Sequence, residues 1–522
     1  MRLSRISLLL LLVLLMAGLA IAPAAAQGDN ILRIVTNFDV RTVDPHVAYE
    51  FDTWPATSLF HVGLVKLDDN TDPIPALAES WTTSEDGLVY TFTLREGGKF
   101  SNGRDITAED VKYSFERLLN PETASPTSFM FEAITGAAAF QNGEADEVTG
   151  IRVIDPLTVE FTFDYPVWTI MKRFALPPAM IVPREGVEAT DNFGRNPVGA
   201  GPFVLDSWES GVRMVGSRNP YYFEAGQPYV DGFELTIGVE PSVGILRIEN
   251  GEADVSLDFV PNADFPRINT DPVLSERLLP LAAFPNIDYV IFNTNIEPFN
   301  DVRVRRALSL AVDRQRLGQI TNGRAVPAEG PIPPISPGNN ADLEPIPYDP
   351  EGARALLAEA GYPDGFTTEM LSTTDPQQIS FAQAIIADWA QVGVQAELIS
   401  VDGAQFVDTL INQPDEVVTV ITEWYMDYID PSNIYEPLLA CGGSYNWGRY
   451  CNEEMDAFFT EANLLPPGDA RWAAFAELEA MLVEDQPNVF LQHRNNYYFI
   501  SERLNITSDP AILLRFASAT VQ

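Results

Sequence analysis

Two lobes of mixed α/β structure are what this 522-residue sequence predicts, on three observations. Strand-like segments dominate 30–285, strands alternate with helices over 286–490, and a strand-like return, NYYFISERLNIT (496–507), closes the pattern. A chain this long exceeds one ordinary core, so two lobes joined by crossing segments are the economical arrangement. With 46% hydrophobic and 11% aromatic residues there is ample surface to bury, which excludes wholesale disorder.

The elements follow in order. ILRIVT (31–36) reads as a first strand, left through the polar turn Thr42-Val43-Asp44-Pro45. GLVYTFTLRE (87–96) alternates with period two and predicts a sheet strand. Thr107 begins a helix as its cap, Asp110 completes a capping box, and Pro121 ends it. IRVIDPLTVEFTF (151–163) reads as two strands around an Asp-Pro turn. PVGAGPFVLDSW (197–208) combines paired glycines and prolines with an apolar strand, the mark of tightly packed backbone. SRNPYYFEAGQPYVDGFELTI (217–237) is loop then strand, 243–250 a short helix closed by Gly251, and ADVSLDF (253–259) a strand.

Beyond 285 come a strand at DYVIFNT (288–294) and a helix over 301–320 with Val304, Leu308 and Ala311 on one face. The arginines Arg303, Arg305 and Arg306 beside Asp301 and Asp313 read as an ion-paired, solvated face. Seven prolines within 326–348 predict an ordered surface loop. Helices at 351–361 and 379–392 and a strand at 394–401 complete βαβ-like units.

The N-terminus stands apart from this fold. Arg2 and Arg5 precede an apolar run, and Pro23-Ala24-Ala25-Ala26 precedes Gln27, which together predict a secretory signal cut after Ala26. The run is short for a bilayer anchor, and no cysteine near the cut offers a lipid attachment point. The expected location is periplasmic or otherwise extracytoplasmic. Removing 26 of 522 residues leaves a mature chain of 496, and removing two arginines takes the net charge from −42 to −44. Such a surface repels a phosphate backbone, which excludes nucleic acid as a general partner. Only four lysines are present, compatible with a saline or GC-rich source. Cys441 and Cys451, the only cysteines, lie in the polar stretch ACGGSYNWGRYC, so a disulfide is expected in an exported protein. A metal would need further soft ligands, and His46, His61 and His493 are scattered. No metal or other cofactor is expected.

Several segments resemble one family. LAESWTTSEDGLVYTFTLREGGKFSNGRDITAEDVKYSFERLL (77–119), PVGAGPF (197–203), RNPYYF (218–223) and FNDVRVRRALSLAVDRQRL (299–317) occur in the order found in the extracellular solute-binding proteins of ABC importers. The similarity is to their oligopeptide/dipeptide/nickel-binding class, family 5. It implies a periplasmic-binding-protein-like fold with mixed sheets, a discontinuous first lobe and an extra small N-terminal domain. On this sequence that is a first lobe of 27–64, 196–287 and 493–522, a small domain of 65–195, and a second lobe of 288–492. The resemblance further implies a hinge near 285–292 and 490–496, a monomer, a bound solute delivered to the permease subunits of an ABC transporter, and no catalysis. Taken as residues, the 77–119 signature is mostly structural, with Trp81 and Tyr90 as core side chains.

The candidate pocket is WYMDYIDPSN (424–433), where Trp424, Tyr425, Asp427 and Tyr428 crowd beside a proline turn. Aromatic plates offer a solute apolar area, and a carboxylate receives an ammonium group. The rival interpretation is a packed strand end with an Asp-capped turn. Tyr445, Asn446 and Trp447 in the cysteine loop, and Phe38 and Arg41 at the exit of the first strand, are the other candidates. Between Cys441 and Asn446 there is no acid, and 373–440 contains neither arginine nor lysine for a ligand carboxylate, which weighs against a dipeptide. Longer peptides held through their backbone fit better. Stacking rings keep an oligosaccharide or other polyhydroxylated solute as the alternative cargo. Presentation of the solute to a membrane receptor is the alternative role. The absence of G-x-S-x-G, H-E-x-x-H and Walker patterns argues against an enzyme.

Overall fold

The computed structural model describes residues 30–49, 53–281, 285–413, 415–509 and 514–522. The expected signal segment lies outside them. Strand Ile31–Thr36 sits inside a five-stranded sheet, parallel to Val255–Ser256 on one side and Gly232–Ile237 on the other. Arg213–Arg218 and Phe203–Glu209 extend it antiparallel. The paired glycines before Phe203 have a steric reason: a Cβ on Gly199 would lie 2.1 Å from the Phe60 carbonyl oxygen, and one on Gly201 2.4 Å from its carbon. The predicted strand 253–259 is shorter than expected. Asp258 leaves the ladder by taking the Asn37 amide on its carboxylate at 2.8 Å.

A four-stranded antiparallel sheet follows, in the order Ala78–Thr83, Val89–Leu94, Thr158–Thr162, Ile151–Asp155. Helix Ala108–Leu119 packs on it, and the Thr107 amide donates to the Asp110 carboxylate at 2.9 Å, completing the capping box. Phe115, Phe161 and Phe174 meet edge-on with centroids 4.9 to 5.4 Å apart. Their cluster is continuous with the core of the first sheet.

The third large sheet has six strands, ordered Ala325–Pro327, Asn488–Arg494, Asn286–Phe292, Thr419–Tyr425, Thr367–Thr373, Gln395–Val401. Asn286–Phe292 is buried along its whole length, as its near-continuous apolar sequence requires of a central strand. Thr367–Thr373 and Gln395–Val401 are parallel and joined through helix Pro376–Gln391, a βαβ unit. The single helix expected over 301–320 is two, Val302–Leu310 and Arg314–Ile320. Asp313 interrupts it because its carboxylate accepts the Arg316 amide and starts a new N-terminus. The arginine face is also different from expectation. Arg305 is buried, donating to the carbonyls of Phe299, Asp485 and Gln486, while Arg303 remains paired with Asp301. Helices Glu453–Leu464 and Asp469–Asp485, unassigned from sequence, form a hairpin under this sheet.

The chain passes twice between the two larger sheets. Leu278–Pro280 pairs antiparallel with Tyr497–Phe499, and the Leu281 amide bonds the Asn496 carbonyl at 3.0 Å. Immediately beyond these, Asn286 and Arg494 already belong to the six-stranded sheet.

Candidate ligand cleft

Strand Thr419–Tyr425 carries the candidate residues out of the six-stranded sheet toward the first lobe. Alternation along it turns Trp424 into the core, where Asn433 accepts its indole N–H at 3.1 Å. Asn433 is fully buried and serves three groups. Its carbonyl oxygen also accepts the Asp427 amide at 2.9 Å, and its own NH₂ donates to the Asp427 carboxylate at 2.9 Å. The same carboxylate accepts the hydroxyl of Tyr49, from the opposite lobe, at 3.2 Å. Both partners are neutral. Burial therefore dominates and pushes the Asp427 carboxyl up to about 6.

Tyr445 meets this group from the disulfide loop, since Cys441 and Cys451 are bonded. Its ring lies 5.6 Å from Tyr49, 5.3 Å from Trp424, 5.7 Å from Trp447 and 6.3 Å from Phe129. Asn446 is occupied inside the loop: its NH₂ donates to the Ala440 and Tyr450 carbonyls and its oxygen accepts the Tyr450 amide. Tyr428 is buried beneath the Arg173 guanidinium, 5.0 Å from its ring centroid.

Tyr425 faces the other way, into a cavity of about 760 Å³ between the lobes. Phe38 lines the same cavity from the first lobe, whereas Arg41 is exposed and outside its wall. Two bases reach this wall from distant sequence. Arg494 pairs with Asp288 at 2.9 Å and with Glu423, and donates to the Tyr425 hydroxyl at 3.0 Å. Arg324 donates to the Val260 carbonyl at 2.8 Å and to Asn262.

Around the cleft, Trp168, Lys172 and Arg173 reach across to residues 429–464. Arg173, buried, donates to Glu436 at 2.8 Å and to the Met130 carbonyl at 3.0 Å. Lys172 donates to the Ile429 carbonyl at 2.9 Å, and the Trp168 indole to the Leu464 carbonyl at 3.0 Å.

Sequence reasoning missed Tyr49, Asn433, Arg173, Arg324 and Arg494. Only Asn433 carried a signal, as the polar end of the WYMDYIDPSN run. Among the described residues no group of three histidine, cysteine or carboxylate side chains is arranged to hold a metal.

The family model described as "Bacterial extracellular solute-binding proteins, family 5 Middle" matches residues 72–446. Heme-binding protein A of Haemophilus influenzae is 30% identical over 461 residues, 83% of this chain and 81% of that protein. Di/tripeptide-binding protein 2 of Pseudomonas aeruginosa is 30% identical over 523 residues, 95% of each chain. Among solved structures, the murein tripeptide binding protein of Escherichia coli superposes with a TM-score of 0.84 at 23% identity, covering 94% of this chain and 98% of that one.

Proposed function

The chain belongs to the bacterial extracellular solute-binding proteins of family 5, and from that premise we propose that it captures peptides between its lobes and delivers them to the permease of an ABC importer. Proteins of this family bind solutes for transport and are not catalysts. The observation that carries the peptide assignment is Asp427. It is a buried carboxylate at the lobe interface whose hydrogen bonds come from the neutral side chains of Tyr49 and Asn433. A buried acid hydrogen-bonded only by neutral side chains, with the Arg173 charge acting on it without direct pairing, is poised for a ligand's ammonium group. The two crossings beside Leu281 and Arg494 are the proposed pivots for closure, with 27–64, 196–287 and 493–522 moving as one lobe against 288–492. The protein works as an exported monomer.

The test is calorimetric titration of refolded, ligand-free residues 27–522 with di- to octapeptides, and with gluco- and xylo-oligosaccharides. Peptide binding that disappears on N-acetylation is the expected result. Binding of oligosaccharides with silence from every peptide would overturn the cargo and favour the rings around Tyr445 as a stacking platform.

A further inference from the structure

The cavity behind Tyr425 has a charge pattern that bears on which peptides are held, an inference that rests on the peptide assignment above. Its wall holds four carboxylates, Glu240, Asp258, Asp375 and Glu423, against two guanidiniums, Arg324 and Arg494. The bases are already engaged. Arg494 is neutralised by Asp288 and Glu423, and Arg324 points its N–H groups at Val260 and Asn262.

The remaining acids accept hydrogen bonds from neutral donors only. Among the described residues no cation pairs with Asp258, which accepts the Asn37 amide at 2.8 Å and the Ser256 hydroxyl at 3.1 Å. Asp375 caps helix Pro376–Gln391 by accepting the Gln378 amide at 2.8 Å and is likewise without a cation. Asp258 belongs to the first lobe and Asp375 to the second, so closure brings both acids to one space. A ligand cation between them relieves the repulsion that closure creates.

Register sets which part of the ligand arrives there. Asp427 lies two residues beyond Tyr425, where strand Thr419–Tyr425 ends, so the two are at most about 7 Å apart along the chain. A peptide anchored by its amine at Asp427 and rising about 3.3 Å per residue brings its second or third side chain to Tyr425. We propose that this cavity is a subsite for a basic side chain at the second or third position, its cationic head between Asp258 and Asp375 and its stem against Phe38 and Tyr425.

The experiment is calorimetry on ligand-free residues 27–522 with Ala-Lys-Ala, Ala-Met-Ala and Ala-Glu-Ala, and with the same side chains at position three. Lysine peptides are expected to bind about tenfold tighter than methionine ones at low salt, with glutamate weakest. The preference shrinks at high salt. In Asp258→Asn and, separately, Asp375→Asn, the lysine-to-methionine ratio falls toward one. Two variants are needed because Asp258 also holds the Asn37 turn, and thermal unfolding checks that each folds. Equal binding of the three peptides at both positions overturns the subsite and leaves peptide capture intact. Absence of binding by any peptide overturns both.

Discussion

Tyr49 and Asp427, 378 residues apart in sequence, meet hydroxyl to carboxylate at 3.2 Å across the lobe interface. The contact joins the loop after the first strand to the segment that follows strand Thr419–Tyr425. The hydrogen-bond partners of the carboxylate are neutral, and burial outweighs them and the Arg173 charge to raise the carboxyl to about 6.

Replacing Asp427 with Asn removes the counter-charge while keeping the size. Peptide binding is expected to weaken by about 2–5 kcal/mol, the range for losing one member of a desolvated charge pair. Calorimetry measures this directly. N-acetylated peptides, which carry no ammonium, should not distinguish the variant from the parent.

The same group makes binding pH-dependent. An ammonium ligand needs the carboxylate, so affinity is expected to fall about tenfold per unit as pH drops below about 6. Stability of the ligand-free protein responds in the opposite sense. The folded carboxyl holds its proton more tightly than the unfolded one, so the Asp427 contribution to stability grows as pH falls from about 6 toward 3.8. Titration of affinity and of melting temperature in the parent and in Asp427→Asn separates the two effects.

Arg173→Ala leaves Glu436 without its partner and removes a contact that ties the segment around Arg173 to the far side of the cleft. Removing one partner of a largely buried pair costs about 3 kcal/mol. The expected readouts are weaker ligand binding through faster release and a larger radius of gyration in small-angle scattering.

Asn433→Ala orphans the Trp424 indole N–H and the Asp427 amide in a dry site. Unsatisfied buried donors of this kind destabilise by about 1–3 kcal/mol each. Loss of the hydrogen bond to the carboxylate also raises the Asp427 carboxyl further, so the pH at which peptide binding fails should move upward. Chemical denaturation and a pH series of titrations check the two consequences.

Glu479 is fully buried and accepts the amides of Ile332 at 2.9 Å and Asn340 at 2.7 Å, pinning the proline-rich loop. Burial pushes its carboxyl up to about 8. Its contribution to stability is therefore expected to be present in full below about 4.5 and to be lost progressively as pH rises from there to about 8. Glu479→Gln should flatten this dependence, with a difference on the order of 1–3 kcal/mol between acid and alkaline conditions.

Elements whose hydrophobic period is local were legible in the sequence. The capping box at Thr107 and Asp110, the strand at Val89–Leu94 and the buried run at Asn286–Phe292 each announce themselves within a dozen residues. The break at Asp313 was not legible, because an apolar face continues across it and only the aspartate's choice of the Arg316 amide ends the first helix. The burial of Arg305 was equally hidden, since the carbonyls that satisfy it come from residues near 485.

The sequence by itself determined a two-lobed α/β chain, its place in a family, and one half of the cleft. Candidates for that half were visible because Trp424, Tyr425 and Asp427 lie within four residues, although only Tyr425 lines the cavity and Trp424 is a core side chain. Tertiary structure alone decided which groups face them. Tyr49, Arg173, Arg324 and Arg494 come from segments with no signal of their own, and an interface between lobes is made by residues far apart in the chain. Whether a carboxylate is paired or left for a ligand depends on those distant partners, and burial then sets its charge.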